Sequence, residues 1–221
     1  MKTSGTESRR TKDLLYEQVA RIGKAAASPK RLELIELLCQ GEKSVETLAR
    51  EASIGMKLAS AHLRALRQAH LVETERQGKN VFYRIADRTV ADFWVATRSL
   101  AEGRLAELRL ALENLAGHAG ELAPEDRETL VRRARNGEIV VLDVRPAVEF
   151  DAAHLPFARS IPLAELKTRL AELPPGKTVV AYCRGPYCLM AKDAVDLLQQ
   201  RGIDAVRLPE GVAEWGLAPV R

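Results

Sequence analysis

A chain of 221 residues that is 46% hydrophobic can bury two ordinary cores, and its three cysteines are too few for a disulfide framework. No run of eighteen apolar residues occurs, so a membrane-spanning helix is not expected, and the polar opening Met1–Lys12 has no apolar signal region, which predicts a cytoplasmic protein. The formal charge of +4 is uneven: residues 1–118 carry +5 and the remainder −1, which predicts two parts with different tasks.

Residues 13–26 place Leu15, Val19, Ile22 and Ala26 at helical spacing. Ser28-Pro29 supplies an N-cap and a proline at the first helical position, opening a second helix through Leu32, Ile35, Leu38 and Cys39 that closes at Gly41. Ser44 starts a short third helix, and Ser53-Ile54-Gly55-Met56 turns the chain into a fourth, about 56–69. Two strands are expected at Leu71–Glu75 and Val81–Ile85 around a basic loop, Arg76-Gln77-Gly78-Lys79-Asn80. A single long helix then runs from Asp87 to about Leu115.

Helices, a turn, a helix and a two-stranded ribbon make a mainly α winged helix-turn-helix. On the fourth helix Ala59, Leu63 and Leu66 form the core stripe, while Lys57, Ser60, Ala61, Arg64 and Gln68 fall on the other side. Small residues among bases let a helix enter a major groove, and Arg76, Lys79 and Asn80 on the wing extend the surface toward flanking phosphates. The competing reading of the basic residues is a solvated face. Leu105, Leu108, Leu112 and Leu115, with Phe93, Trp94 and Leu100 upstream, form an apolar stripe suited to pairing two copies.

Residues 13–115 resemble an ArsR-type transcriptional regulator, most clearly in Ser28-Pro29-Lys30-Arg31-Leu32 and in the run from Ser60 to Val72, where His70 replaces a usual glycine. The resemblance implies a homodimer joined through its first and last helices and bound to double-stranded DNA at an inverted repeat. Metal-sensing members often carry Cys-x-Cys where this chain has Glu42–Glu46. Cys39 stands alone on an apolar face, so no metal site is expected.

Two glycines and a proline in Ala116–Pro124 mark a boundary: residues 1–118, a linker at 119–124 with His118 just before it, and a second domain at 125–221. A helix through Leu130, Val131 and Ala134 ends at Asn136-Gly137, and Ile139–Arg145 reads as a buried strand ending in charge. A loop with His154-Leu155-Pro156 and Ser160-Ile161-Pro162 leads to a helix at 163–172. A strand over Lys177–Tyr182 then runs into Cys183, Gly185-Pro186 forces a turn, a helix starts near Leu189, and a last strand spans Asp204–Leu208. This alternation predicts an α/β parallel sheet with its crevice at the carboxyl ends of the strands, where Arg145 and Cys183 both stand. A cysteine leading into a helix N-terminus favours its anion, so Cys183 is expected to be a low-pKa thiolate. The plainer reading is a small buried residue ending a strand.

Four motifs in order resemble a rhodanese domain: Leu142-Asp143-Val144-Arg145 with Glu149-Phe150; His154-Leu155-Pro156-Phe157-Ala158, with Phe157 at a usual glycine; Tyr182-Cys183; and Gly211–Trp215. The resemblance implies that Cys183 accepts sulfur from thiosulfate, polysulfide or a persulfide without a cofactor. It also implies that Arg184, Gly185, Pro186, Tyr187, Cys188 and Leu189 form the cradling loop, and that Asp143 and Arg145 are a structural charge pair. Phosphatases of this fold place arginine where Leu189 stands, which argues against phosphate chemistry. Cys188 reads either as a partner that attacks a Cys183 persulfide, giving a disulfide or sulfur bridge, or as a small loop-closing residue. Three functions stay open: a DNA-binding repressor sensing sulfane sulfur, a sulfurtransferase whose winged helix mainly dimerises, and a regulator with an inactive rhodanese domain.

Overall fold

The structure, a computed structural model, describes residues 3–116 and 126–220 and divides into a unit of residues 3–38 and 42–90 and a unit of residues 39–41 and 91–219. The linker expected at 119–124, with His118, lies outside the described residues.

The first unit begins with α1 (Thr3–Ala26), α2 (Pro29–Leu38), β1 (Lys43–Ser44), α3 (Val45–Glu51) and α4 (Met56–Gln68). Its core includes Leu34, Ile35, Leu38, Leu48, Ala59, Leu63 and Leu66, all fully buried, whereas Leu15 and Val19 of the stripe expected on the first helix are exposed. Ser44 caps α3 by accepting a bond from the Thr47 amide at 3.2 Å. Helix α4 closes by a Schellman arrangement, the His70 amide on the Arg67 carbonyl and the Leu71 amide on the Leu66 carbonyl, both 3.0 Å. His70 therefore takes φ +58°, a left-handed conformation in which a β-carbon crowds the following carbonyl.

Strands β2 (Val72–Gln77) and β3 (Asn80–Ile85) pair antiparallel, and β1 adds to the other edge of β3. The wing is tighter than the expected five-residue loop. Gln77 faces Asn80 in the register, so only Gly78 and Lys79 turn, and Arg76 and Asn80 are strand residues. Gly78 makes this possible by adopting φ +62° at the first central position of a two-residue turn.

The single helix expected from Asp87 is two, α5 (Arg88–Arg104) and α6 (Ala106–Ala116), with Leu105 outside both. Gly103 weakens the helix at the break, and the Arg109 guanidinium donates to the Glu102 and Gly103 carbonyls at 3.2 and 3.4 Å.

The second unit continues with α7 (Arg127–Arg135), capped by Asp126, whose carboxylate accepts from the Thr129 amide at 2.7 Å. There follow β4 (Ile139–Asp143), α8 (Ala147–Ala152), β5 (Arg159–Ser160), α9 (Leu163–Arg169), β6 (Thr178–Tyr182), α10 (Met190–Gln199) and β7 (Ala205–Arg207). The sheet order is β5-β4-β6-β7, all parallel. Alternate side chains serve opposite faces: Leu142, Val179 and Ala181 pack with Leu166, Ala191, Val195 and Leu198, whereas Val141, Val180 and Tyr182 pack with Leu130 and Leu155. Helix α8 replaces part of an expected loop. At six residues it is too short to show a helical period.

Candidate functional site

Strand β6 delivers Cys183 to the carboxyl edge of the sheet, where Gly185 at φ +143° swings the chain away and the Cys188 amide bonds back to the Gly185 carbonyl at 3.1 Å. Helix α10 begins two residues after Cys188. Cys183 is 2% exposed, its sulfur 3.4 Å from the Cys188 carbonyl oxygen, whereas Cys188 is partly exposed. The Cys183 thiol donates to the Cys188 carbonyl; the two thiols are neighbours that perturb one another, with backbone amides of Gly185 and Ala191 facing Cys183 and those of Arg184 and Met190 facing Cys188.

These surroundings push the two thiols in opposite directions. Burial pushes the Cys183 thiol well up, reinforced by its bond to Cys188. Cys188 is brought down to about 6 by the Cys183 hydrogen bond, the Arg184 and Met190 amides and the Arg184 guanidinium, against the opposing effect of burial. The low-pKa thiolate expected at Cys183 is opposed there by burial and favoured at its neighbour. Cys183 still belongs to the strand and lies in the core, while Cys188 adjoins the first turn of α10.

Behind the loop, Asp143 and Arg145 are both fully buried and paired at 2.6 Å. Arg145 also donates to the Ala153 carbonyl at 2.7 Å and to the Gln40 side-chain oxygen at 2.9 Å. The Tyr182 hydroxyl donates to Asp143 and accepts from the Leu155 amide at 3.1 Å. Burial and the Asp143 carboxylate hold that phenol far above its ordinary range. Burial alone would lower the Arg145 pKa, but the Asp143 hydrogen bond and charge outweigh it and keep Arg145 a cation.

The loop has a second layer of support. Arg184 donates to both oxygens of buried Glu149, its Nε at 3.1 and 3.0 Å. Gly211 lies against the loop so closely that a β-carbon there would stand 2.7 Å from the Cys183 carbonyl oxygen. Its amide donates to Glu214 at 2.6 Å, and Glu214 in turn accepts from Arg98 at 2.7 Å. Gln40, Arg98, Glu149, Tyr182 and Glu214 were not singled out for these contacts in the sequence. The advance signals were the Glu149-Phe150, Tyr182-Cys183 and Gly211–Trp215 motifs, which carry no record of their partners.

The residues expected at DNA lie in the first unit. Lys57, Ala61, Arg64 and Gln68 are exposed on α4, with Ser60 half-buried. Arg76, Lys79 and Asn80 are exposed on the wing, Arg76 bonding the Gly78 carbonyl at 3.2 Å. The residues expected for sulfur chemistry, Asp143, Arg145 and 183–189, converge at the edge of the parallel sheet. Trp94 leaves the expected dimer stripe: it is 5% exposed and meets the Tyr187 ring edge-on at 6.2 Å. Among the described residues no cluster of three or more His, Cys, Asp or Glu could hold a metal ion, and no helix is long and apolar enough to cross a membrane.

Residues 28–74 match the model of the bacterial regulatory protein arsR family, and residues 126–218 match the rhodanese-like domain. The chain is 43% identical over 210 residues to the HTH-type transcriptional regulator Rv0324 of Mycobacterium tuberculosis, covering 94% of this chain and 91% of that one. It is 33% identical over 92 residues to a probable mercury resistance operon repressor of Streptomyces lividans, covering 42% of this chain and 74% of the relative. Among solved structures, the homodimeric winged helix-turn-helix DNA-binding domain Mb0332 of Mycobacterium bovis is 41% identical with a TM-score of 0.41, covering 43% of this chain and 89% of that domain.

Proposed function

The chain belongs to the ArsR family of HTH-type transcriptional regulators and carries a rhodanese-like domain, and from that premise we propose a cytoplasmic, homodimeric repressor that takes sulfane sulfur at Cys183 and changes its operator affinity in response. The DNA-reading part is residues 1–118, joined by 119–124 to the sulfur-accepting part at 125–221. The observation that carries the sulfur reading is the pair of neighbouring thiols, Cys183 bonded to the Cys188 carbonyl, in an amide-lined loop at a strand–helix junction. Recognition of an inverted-repeat DNA site rests on exposed Lys57, Ala61, Arg64 and Gln68 on α4, with Ser60 beside them and Arg76, Lys79 and Asn80 on the wing. Dimerisation rests on exposed Leu14, Leu15, Tyr16 and Val19 of α1 with Leu100, Leu105 and Leu110.

In the first step the Cys188 thiolate takes the proton of the neighbouring Cys183. The Cys183 sulfur attacks the sulfane sulfur of a donor R–S–SH, giving Cys183–S–SH and R–S⁻, and R–S⁻ takes the proton from Cys188. In the second step the Cys188 thiolate attacks the Cys183 sulfur, forming the Cys183–Cys188 disulfide and releasing HS⁻. Arg184 to Leu189 cradle the added sulfur, and the Asp143–Arg145 pair keeps the loop's base in place.

The test measures cyanide-releasable sulfur and operator affinity together, with sodium tetrasulfide as donor. Cys188→Ser should hold cyanide-releasable sulfur, wild type should release sulfide and change its operator affinity, and Cys183→Ala should do none of these. Thiocyanate formation equally fast in Cys183→Ala would move the nucleophile elsewhere. Sulfur acceptance without operator binding would make the protein a sulfurtransferase in which the winged helix only dimerises.

A further inference from the structure

Helix α5 lies outside both family matches, yet its side chains form part of the wall around the sulfur loop. The contacts run from the backbone outward. Gly211 presses on the Cys183 and Arg184 backbone, leaving no room for a β-carbon. Its amide is fixed by one oxygen of Glu214 at 2.6 Å, and the other oxygen is fixed by Arg98 of α5 at 2.7 Å. The Arg98 and Glu214 side chains are only 4% and 6% exposed, so water does not loosen the pair. The Arg98 guanidinium and the Glu214 carboxylate also stand 3.5 Å from where a β-carbon on Gly185 would be. Tyr187, on the far limb of the loop, has its ring 5.6 Å from the same guanidinium and 6.2 Å from the Trp94 ring of α5. One arginine therefore touches both limbs of the loop.

We propose that Arg98 is a positioning residue for the loop Arg184–Leu189, and that through Arg98 and Trp94 helix α5 registers the sulfur state of Cys183. This rests on the sulfur-accepting reading above. A second sulfur on Cys183 needs space in a region where the sulfur is already 3.4 Å from the Cys188 carbonyl and the residue is buried. Close-packed interiors do not absorb an added atom without displacement. The loop must shift, by making room for the persulfide or by closing into the Cys183–Cys188 disulfide. Gly185 and Tyr187 then move against Arg98. A buried ion pair is costly to break by parting its charges, so Glu214 and Arg98 shift together rather than separate. Arg98 is ion-paired along α5 with Glu102 at 3.2 Å, and α5 is continuous with the segment that follows the wing.

Hydrogen exchange on the full-length protein tests this without any substitution, comparing reduced, tetrasulfide-treated and iodoacetamide-treated forms, with cyanolysis to count loaded sulfur. Peptides spanning 91–104 should change their exchange rate by about fivefold or more on loading, the low end of allosteric coupling. The change should vanish in Arg98→Met and return in part in Arg98→Lys, whose ammonium can still reach Glu214. A helix that merely packs would give no such rescue. Loaded wild type with altered exchange over 184–189 but unchanged exchange over 91–104 would overturn the proposal. Neither cyanide-releasable sulfur nor a Cys183–Cys188 disulfide after tetrasulfide, together with an α5 response to alkylation, would uphold the mechanical link and reject the sulfur reading. Silence of α5 to both treatments would reject the link.

Discussion

The α4 face and the loop after β6 prepare for negatively charged groups in opposite ways. On α4 the charges are long exposed side chains, Lys57 and Arg64, each able to act separately and each screened by salt. In the loop the donors are backbone amides of Arg184, Gly185, Met190 and Ala191, and the charged side chains behind them are buried and interlocked. Exposed charges can be removed one at a time with little effect on folding. Removing one member of the buried set leaves its partner charged in a dry interior.

The largest effect that contrast predicts is Arg145→Met, which leaves Asp143 fully buried with only Tyr182 and backbone partners. It should destabilise the protein by about 3–5 kcal/mol in a urea titration. A cost under about 1 kcal/mol would show that the pair is replaceable and would break the contrast. Next, Lys57→Ala and Arg64→Ala should each weaken operator binding by about 1–3 kcal/mol if the side chain reaches a base edge, while leaving the melting temperature unchanged. Full operator affinity in the double variant would remove α4 from the interface.

A pH profile sharpens the description of the loop. Cys188 has its pKa lowered to about 6, so its thiolate persists above that pH and is lost as pH falls through it. The rate of Cys188 alkylation, followed by peptide mass, should rise with a midpoint near pH 6. In Cys183→Ala the midpoint should move up, because the hydrogen bond that lowers it most is gone, yet stay below the ordinary thiol value, because the amides remain. A midpoint unchanged by that substitution would mean the thiols do not share a proton.

The smallest effect concerns two left-handed residues at places where the related families carry glycine. His70→Gly should stabilise by about 0.5 kcal/mol, relief of the β-carbon strain being partly offset by a freer unfolded chain. Phe157, at φ +62°, holds its ring 5.3 Å from the Arg135 guanidinium, so glycine there should gain less. Equal gains at both would show that the ring contact contributes nothing.

Much of this was legible in advance because it depends on neighbours in the chain. The cap at Ser44, the stripe Ala59, Leu63 and Leu66, and the arrival of a strand at Cys183 all follow from spacing and turn chemistry over a few residues. The exposed basic residues of α4 follow from the same helical period. Errors came where the signal was short or was overruled. Six-residue α8 shows no period, Gly103 and the Arg109 contacts divide a helix that periodicity ran straight through, and Gly78 shortens the wing turn.

The sequence by itself determined two structural classes on one chain, the exposed basic face of one and the cysteine position of the other, since periodicity and local turns are short-range properties. Only the tertiary structure set the unlike surroundings of the two sulfurs, because burial of Cys183 and the amides around Cys188 depend on how the sheet and α10 close around them. Likewise it alone joined Arg184 to Glu149 and Arg98 to Glu214, residues 35 and 116 apart in the chain. A charge written in the sequence does not name its partner; the partner is set when the chain returns to that place and excludes water from it.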